Sequence, residues 1–212
     1  MYPPLVVGGL GDKALHGICY RQPVASAQVK SAILLAGLYA EGITEVIEPA
    51  QSRNHTELML AHMGAPLTVD GESIRVDPSG WDGKLAGGNI MVPGDPSSAA
   101  FVLAAGLIAG VERLSVRDVC VNRRRTGFLD ALASFGVRVE RESLSEAGGD
   151  PVADLVITRG ASDGMHGATV SGELTVRSLD EIPILAVLAA RAEGTSHFED
   201  GEELRFKESD RI

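Results

Sequence analysis

Residues 27–42 read AQVKSAILLAGLYAEG, and two later stretches follow the same pattern. They are PSSAAFVLAAGLIAG at residues 96–110 and DEIPILAVLAARAEG at residues 180–194. Each has the length and apolar content of a buried helix. Each ends in glycine (Gly42, Gly110 and Gly194), which favours the left-handed cap at a helix C-terminus. Three matches in register predict an internal repeat.

The segments between these helices repeat as well. The first helix is followed by TEVIEP, a second helix around HTELMLAHMG, and then APLTVD and ESIRVD; the next stretch contains ERLSVRD, RRTGFLDALASFG, VRVERE and DLVITRG. This order predicts α/β units of the form βαβαββ. One such unit can bury a helix face only against sister units, so several should pack around shared helices. A third copy is expected to begin with DEIP at residues 180–183.

A segment rich in glycine, proline and aspartate separates the first copy from the second. It reads VDPSGWDGKLAGGNIMVPGDP and covers residues 76–96. Such a composition is typical of a crossover between domains. We therefore expect two lobes, residues 1–85 and residues 86–212, that meet near residues 82–94.

Composition excludes some classes of function. The net charge of −10 argues against a nucleic-acid-binding surface, which would need a basic face. We expect no membrane span, because no apolar run reaches the roughly 18 residues required. Cys19 and Cys120 show no paired spacing and are interpreted as reduced core thiols of a cytoplasmic protein, without a disulfide or a metal site. We expect a monomer.

The starts of the first two helices carry candidate binding residues. Ser26, Ala27 and Gln28 open the first helix, where free N–H groups beside a hydroxyl and an amide can bind an anion. Simple N-capping by Ser26 would explain the same pattern. Arg53 stands just before the second helix, where a planar guanidinium suits a phosphate or a carboxylate.

The second helix also has an ordinary structural explanation. Asn54 and Glu57 are spaced as a capping box, in which the two side chains bond the free N–H groups of the helix start. That interpretation accounts for both residues and leaves Arg53 unexplained, because a cap needs no guanidinium.

The densest charge cluster stands at the end of the chain, in EELRFKESDRI. Lys207 and Glu208 are adjacent, and Arg211 lies three residues after Glu208 on the same expected face. An acid between two cations is a candidate proton donor beside a bound anion, although a solvated helix end would look the same. Asp180 opens the third copy, where the helix dipole alone would favour an acid.

Taken together, these motifs resemble one known family. The sequences PVASAQVKSAILLAGLYAEGIT, SRNHTE, VPGDPSSAAFVLAA, NRRRTGFLDAL, LDEIPILAVLAARAEGT and EELRFKESDRI are similar to those of the 5-enolpyruvylshikimate-3-phosphate synthases, in register over essentially the whole chain. The resemblance is greatest to the bacterial class with alanine between the serine and the glutamine of the first motif. It implies an enolpyruvyl transferase-like α/β fold, with repeated βαβαββ units in two lobes.

The resemblance also implies a reaction. These enzymes transfer the enolpyruvyl group of phosphoenolpyruvate to the 5-hydroxyl of shikimate 3-phosphate, in aromatic amino acid biosynthesis, and release phosphate without a metal or other cofactor. Ser26, Ala27, Gln28 and Arg53 are then expected to bind shikimate 3-phosphate. Asp180 would bind the ring and accept the hydroxyl proton.

The terminal cluster takes the remaining roles that the resemblance implies. Lys207 would touch both substrates, Glu208 would protonate the methylene carbon of phosphoenolpyruvate, and Arg211 would bind its carboxylate or its phosphate. The family's opening lysine–serine motif and its final basic elements are expected to lie outside residues 1–212. We therefore expect a central fragment, with little or no activity by itself.

The chain departs from the family pattern at several positions. Asn54 stands where aspartate is usual, Leu58 where arginine often follows, and Arg123 and Arg124 replace proline and threonine. Two alternatives stay open. One is a non-catalytic fragment that binds shikimate 3-phosphate, and the other is a relative of UDP-N-acetylglucosamine enolpyruvyl transferase.

Overall fold

The computed structural model describes residues 4, 6, 8, 9, 11, 13–206 and 209–212. The chain divides into two compact units, unit 1 (residues 1–89) and unit 2 (residues 90–212). Both units mix helices with short sheets. Among the described residues, none of the helices is both long enough and apolar enough to cross a membrane.

The described residues of unit 1 form two helices and two small sheets. In chain order its elements are β1 (Leu15–His16), β2 (Cys19–Arg21), α1 (Ala27–Gly37), β3 (Ala40–Glu41), β4 (Thr44–Ile47), α2 (His55–His62), β5 (Leu67–Asp70) and β6 (Ser73–Val76). Strands β2, β4, β6 and β5 form a sheet in that spatial order, and β1 pairs with β3. The β2–β4 pair is parallel, whereas β6 is antiparallel to both β4 and β5.

Apolar side chains from both helices and from the sheet make the core of unit 1. Leu34 of α1, Leu60 of α2, Val46 of β4 and Ile74 of β6 are all buried there. Trp81 is partly buried against the same cluster. The first copy therefore has the predicted alternation of strands and helices, and its hydrophobic pattern decides which face of each element is buried.

Unit 2 holds the other nine elements of regular structure that we label. They are α3 (Pro96–Ala109), β7 (Arg113–Cys120), α4 (Gly127–Ser134), β8 (Glu140–Ala147), β9 (Asp150–Thr158), β10 (Thr169–Val170), α5 (Glu173–Arg177), α6 (Ile182–Ala189) and β11 (His197–Phe198). Short 3-10 helices lie at Leu179–Glu181, between α5 and α6, and at Glu202–Phe206, after β11. Strands β7, β9 and β8 form an antiparallel sheet, and β10 pairs in parallel with β11.

The core of unit 2 lies between its helices and this antiparallel sheet. Leu103 of α3, Leu132 of α4, Ile157 of β9 and Leu185 of α6 are almost completely buried in one cluster. Gly106 of α3 permits close packing, because a Cβ there would lie 2.7 Å from Leu114 Cδ2.

The repeat is visible in backbone contacts as well as in sequence. The Gly17 N–H donates to the Glu41 carbonyl at 2.8 Å, and the Gly167 N–H donates to the Glu193 carbonyl at 2.7 Å. A Cβ on either glycine would lie 2.2 Å from a backbone oxygen, that of Ile43 or of Thr195. No other residue type fits so close an approach of two chains. The third copy therefore begins at this glycine, with β10 and α5 preceding DEIP, and not at residue 180 as predicted.

The predicted helix caps are confirmed in part. Gly110 is the left-handed C-cap of α3, with φ of 62°. The prediction is wrong for Gly42 and Gly194, because α1 ends at Gly37 and α6 ends at Ala189. Both of these glycines have positive φ in the turns that follow the helices.

One cysteine differs from the prediction. Cys120 is buried, and its burial raises the pKa of the thiol. Cys19 is exposed on strand β2 and is therefore not a core residue. Its neighbours in sequence are apolar, but β2 buries little of its surface.

Candidate substrate-binding site

In unit 1, the start of helix α1 is held by a cap and by a neighbouring amide. Ser26 is the N-cap, and its hydroxyl accepts a hydrogen bond from the Val29 N–H at 3.3 Å. The Gln22 side chain donates to the Ser26 carbonyl at 3.0 Å. Ser26 and Ala27 are half-buried, and Gln28 is exposed. The predicted cap is thus confirmed, while the Gln28 amide remains accessible to a ligand.

A buried ion triad lies one turn inside this helix. The Lys30 ammonium is 2.9 Å from Glu48 Oε2 and 2.6 Å from Glu57 Oε1. The three side chains are 0%, 1% and 4% exposed. Lys30 therefore faces the interior of unit 1 and does not point toward an anion at the helix start.

The triad also organises the loop before α2. Glu48 follows strand β4, and its Oε1 accepts hydrogen bonds from both the Ser52 hydroxyl and, at 3.3 Å, the Ser52 N–H. Arg53 is exposed and comes two residues before the first residue of α2. The Ser31 and Thr56 hydroxyls share a hydrogen bond of 2.6 Å, which joins the N-terminal halves of α1 and α2. The structure thus brings Ser26–Gln28 and Arg53 to two helix starts that lie side by side.

The predicted capping box is wrong. Asn54 is the N-cap of α2, but its side chain makes no capping hydrogen bond. Glu57 points instead at Lys30, which is 27 residues earlier in the chain. A buried ammonium attracts a carboxylate much more strongly than a solvated N–H group does, and this long-range pair prevails over the local motif.

In unit 2, two of the predicted residues contact each other. Arg211 Nη1 donates to Asp180 Oδ1 at 3.2 Å, and both side chains are a little over one quarter exposed. Asp180 lies in the 3-10 helix Leu179–Glu181, directly before α6. Lys207 and Glu208 lie outside the described residues. This pair therefore places one acid and one cation at the start of α6.

A polar network lies beside this pair. The Ser97 hydroxyl donates to Glu181, which is buried, and Arg125 Nη2 donates to the Ser97 hydroxyl at 3.0 Å. Arg125 also pairs with Asp95 Oδ1 at 2.8 Å. The network connects the start of α3 to the residue next to Asp180.

The pKa of Asp95 is lowered, although two effects oppose each other. Burial raises it, but hydrogen bonds from the Ser98 hydroxyl and from the N–H groups of Ser98 and Ser97, with the charge of Arg125, outweigh the burial. Asp95 is therefore a stable anion that caps helix α3.

Sequence reasoning did not identify the Lys30–Glu48–Glu57 triad or the Arg125–Ser97–Glu181 network as parts of a site. One signal for the triad was available. Lys30 is the single charge in the helix AQVKSAILLAG, so its side chain needs a partner if that position is buried. For Ser97 and Glu181, which are 84 residues apart, no local pattern indicates the contact.

Comparison with known proteins decides the family. The family model described as EPSP synthase (3-phosphoshikimate 1-carboxyvinyltransferase) matches residues 1–212. This chain belongs to the EPSP synthase family. Among curated members, it is 50% identical over 210 residues to the 3-phosphoshikimate 1-carboxyvinyltransferase of Desulforudis audaxviator and 44% identical over 211 residues to that of Bacillus subtilis. The chain spans 47% of the length of each of these two relatives.

Solved structures of EPSP synthases agree with the fold. One from Acinetobacter baumannii matches with a TM-score of 0.86 and 42% identity, over 95% of this chain and 44% of its own length. A second structure of EPSP synthase from that organism matches with a TM-score of 0.79. The predicted enolpyruvyl transferase-like α/β fold is confirmed.

Proposed function

We propose that this chain takes part in transferring the enolpyruvyl group of phosphoenolpyruvate to the 5-hydroxyl of shikimate 3-phosphate. The observation that carries the proposal is the EPSP synthase family match over residues 1–212, together with relatives named for this carboxyvinyl transfer. The match also favours this reaction over transfer to a sugar nucleotide.

We propose that unit 1 supplies the site for shikimate 3-phosphate. The accessible N-terminus of α1, with the exposed Gln28 amide, offers hydrogen bonds to the ligand's hydroxyl groups and anionic oxygens. Arg53, at the adjoining helix start, offers a guanidinium to the 3-phosphate. The hydrogen bond between Ser31 and Thr56 supports this arrangement, because it holds the two helix starts together.

Unit 2 would supply the acid–base groups. The oxygen of the 5-hydroxyl group bonds to C2 of phosphoenolpyruvate while Asp180 takes the hydroxyl proton. Glu208 gives a proton to the methylene carbon in the same step. In the second step the acid and base roles reverse: the C2–O bond to the phosphate breaks, Glu208 takes a proton from the new methyl group as the double bond returns, and Asp180 gives its proton to the departing phosphate. Lys207 and Arg211 would offset the negative charge of the two substrates.

We also propose that the two units are parts of the two lobes of the enolpyruvyl transferase fold, with the boundary at residues 85 and 86. The division of the chain after residue 89 supports this. The free cysteines support a reducing compartment, for which we propose the cytoplasm. A monomeric state stays a prediction, to be checked by sedimentation.

Binding is the first test. Calorimetry should show that shikimate 3-phosphate binds more tightly than shikimate, and Arg53→Ala should weaken binding of the 3-phosphate by about 1.5–3 kcal/mol, as expected for one charge-assisted contact. Arg75→Ala, which removes another exposed arginine of unit 1, is the matched control and should bind as the unaltered chain does. Equal affinity for the two ligands would overturn the proposed site.

Catalysis is the second test. We expect no measurable phosphate release by residues 1–212 alone, because relatives use about twice this length and orientation of the reactants can supply about 7–11 kcal/mol of a barrier. Activity should appear when the segments found on either side in relatives are supplied, and Glu208→Gln should abolish it. Turnover that is indifferent to Glu208 would refute its role. Tight binding without turnover in the completed protein would favour the non-catalytic alternative.

A further inference from the structure

The Lys30–Glu48–Glu57 triad is an unfavourable way to stabilise a small domain. It buries two carboxylates against one ammonium, so one negative charge is not compensated within it. Within the described part of the chain, Glu57 Oε2 has no hydrogen-bond partner. Apolar side chains of similar volume usually stabilise a core as well as a buried ion pair does, or better. Stability alone therefore does not explain the triad.

The triad joins the three segments that surround the proposed phosphate site. Lys30 belongs to α1, one turn after Ser26, and Glu57 belongs to the first turn of α2. Glu48 fixes the loop between β4 and α2, because it accepts both the N–H and the hydroxyl of Ser52. The next residue in the chain is Arg53.

We propose that Lys30 and Glu48 are positioning residues for recognition of the 3-phosphate group. Lys30 fixes the Glu48 carboxylate, Glu48 fixes Ser52, and Ser52 sets the backbone from which Arg53 reaches the phosphate. Neither Lys30 nor Glu48 touches the substrate. The inference rests on the proposed function, since it assumes that shikimate 3-phosphate binds at these helix starts.

The physical reason is the entropy lost when a loop is ordered. Residues 49–53 lie outside regular secondary structure, between the backbone hydrogen bonds that Glu48 and Asn54 make, so side-chain contacts or the ligand itself must help to order them. A loop that is ordered before binding spares the ligand this entropy loss. Without Glu48, part of the binding energy of the phosphate would go into ordering Ser52 and Arg53. Contacts of the ring with the start of α1 would be unaffected.

The test compares two glutamates in unit 1 that each accept a serine hydroxyl. Glu48 holds Ser52 in the loop, while Glu45 on β4 accepts the Ser73 hydroxyl at 2.6 Å across the sheet. Calorimetry on the full chain measures the ratio of the affinities for shikimate 3-phosphate and for shikimate. Glu48→Gln should lower this ratio by about ten-fold, the scale of one charge-assisted contact. Glu45→Gln should leave it unchanged.

If Lys30 and Glu48 had a purely structural role, their substitution would lower the stability of the chain without changing the ratio of the two affinities. Because Glu48→Gln can impair folding, a second variant, Lys30→Met/Glu48→Gln/Glu57→Gln, removes every charge of the triad and should also bind with the lowered ratio. Fluorescence of Trp81, which packs on the core of unit 1, shows that each variant is folded. An unchanged ratio in a folded variant overturns the positioning role and leaves the proposed function intact. No preference for the 3-phosphate in the unaltered chain overturns both.

Discussion

The two units hold their candidate binding residues in different electrical environments. In unit 1 the supporting ion triad is almost completely buried, with its three side chains between 0% and 4% exposed. In unit 2 the Asp180–Arg211 pair is more than one quarter exposed, and Asp95 beside Arg125 is about half exposed. Water screens the second set of charges and not the first.

Buried and partly exposed ion pairs differ in how firmly they fix the segments that carry them. A buried triad commits three segments to one arrangement, because removing its single ammonium leaves two carboxylates unpaired in a medium of low dielectric constant. A partly exposed pair costs little to form and little to break. We therefore expect the proposed binding surface of unit 1 to be preformed, and we expect the ion pairs of unit 2 to exchange partners if a charged substrate binds there.

The largest expected effect is the loss of the ammonium from the buried triad. Lys30→Met should lower the free energy of unfolding of unit 1 by about 3–5 kcal/mol, since two carboxylates then remain buried without a cation. Urea unfolding followed by the fluorescence of Trp81, the single tryptophan, reports on this unit. Arg211→Met is the control in unit 2 and should leave the Trp81 transition unchanged. If Lys30→Met lowered the free energy of unfolding by less than about 1 kcal/mol, the triad would contribute no more to stability than an ion pair on the protein surface does.

The next largest effect concerns Gly17 and Gly167, the glycines at which both units bring two backbone segments close together. Gly17→Ala and Gly167→Ala should each destabilise their unit by about 1–3 kcal/mol, because the added methyl group meets a backbone oxygen and the chains must separate. Gly88→Ala is the control, since a Cβ there would have no neighbour within 4 Å. Trp81 fluorescence follows unit 1, and circular dichroism follows the whole chain. If only one of the two variants were destabilised, the two glycines would not be equivalent parts of a repeat.

The sequence predicted features that depend on local pattern and missed those that depend on distant partners. The repeated helices and the cap at Gly110 follow from periodicity and from the conformational freedom of glycine. The cap prediction failed at Gly42, because α1 ends at Gly37 and the two-residue strand β3 intervenes, which is too short to produce a periodic signal. Such short strands are formed by their pairing partners and not by their own residues.

The candidate site shows the same limit. Ser26 as N-cap could be predicted, since the cap and its donor are three residues apart. The capping box at Asn54 and Glu57 could not be excluded, because the partner that draws Glu57 away, Lys30, belongs to another helix. Motif resemblance pointed to Asp180 and Arg211, but their mutual contact links positions 31 residues apart.

A smaller effect is expected for the partly exposed Asp180–Arg211 pair of unit 2. A double-mutant cycle with Asp180→Asn and Arg211→Met should give a coupling energy of at most about 1 kcal/mol in the free energy of unfolding, and it should shrink when salt is added. The cycle removes the contribution of other contacts that either side chain makes. Coupling of about 3 kcal/mol or more, independent of salt, would show that unit 2 is as firmly preorganised as unit 1.

The smallest expected effect concerns Asp95, the cap of helix α3. Its pKa is lowered in the folded protein, so the unfolded chain takes up the proton more readily. The resulting stabilisation is fully present above the ordinary aspartate pKa of about 4 and is lost as the pH falls below it, through the lowered folded value. Asp95→Asn keeps a capping side chain but removes the charge, which should cost about 0.3–1 kcal/mol at neutral pH.

The measurement is urea unfolding of unit 2 at a series of pH values from neutrality into acid. The difference between the unaltered chain and Asp95→Asn should begin to close below about pH 4 and vanish once the pH lies below the lowered pKa of folded Asp95, where the unaltered side chain is neutral as well. Ser98→Ala removes a hydroxyl that donates to Asp95 Oδ2 at 2.9 Å, so it should reduce the loss of stability in acid without abolishing it. If the stability curves of the unaltered chain and of the Asp95→Asn variant ran parallel through acid, the charge of Asp95 would contribute nothing. The Asp95–Arg125 contact would then stabilise unit 2 only through its hydrogen-bond geometry.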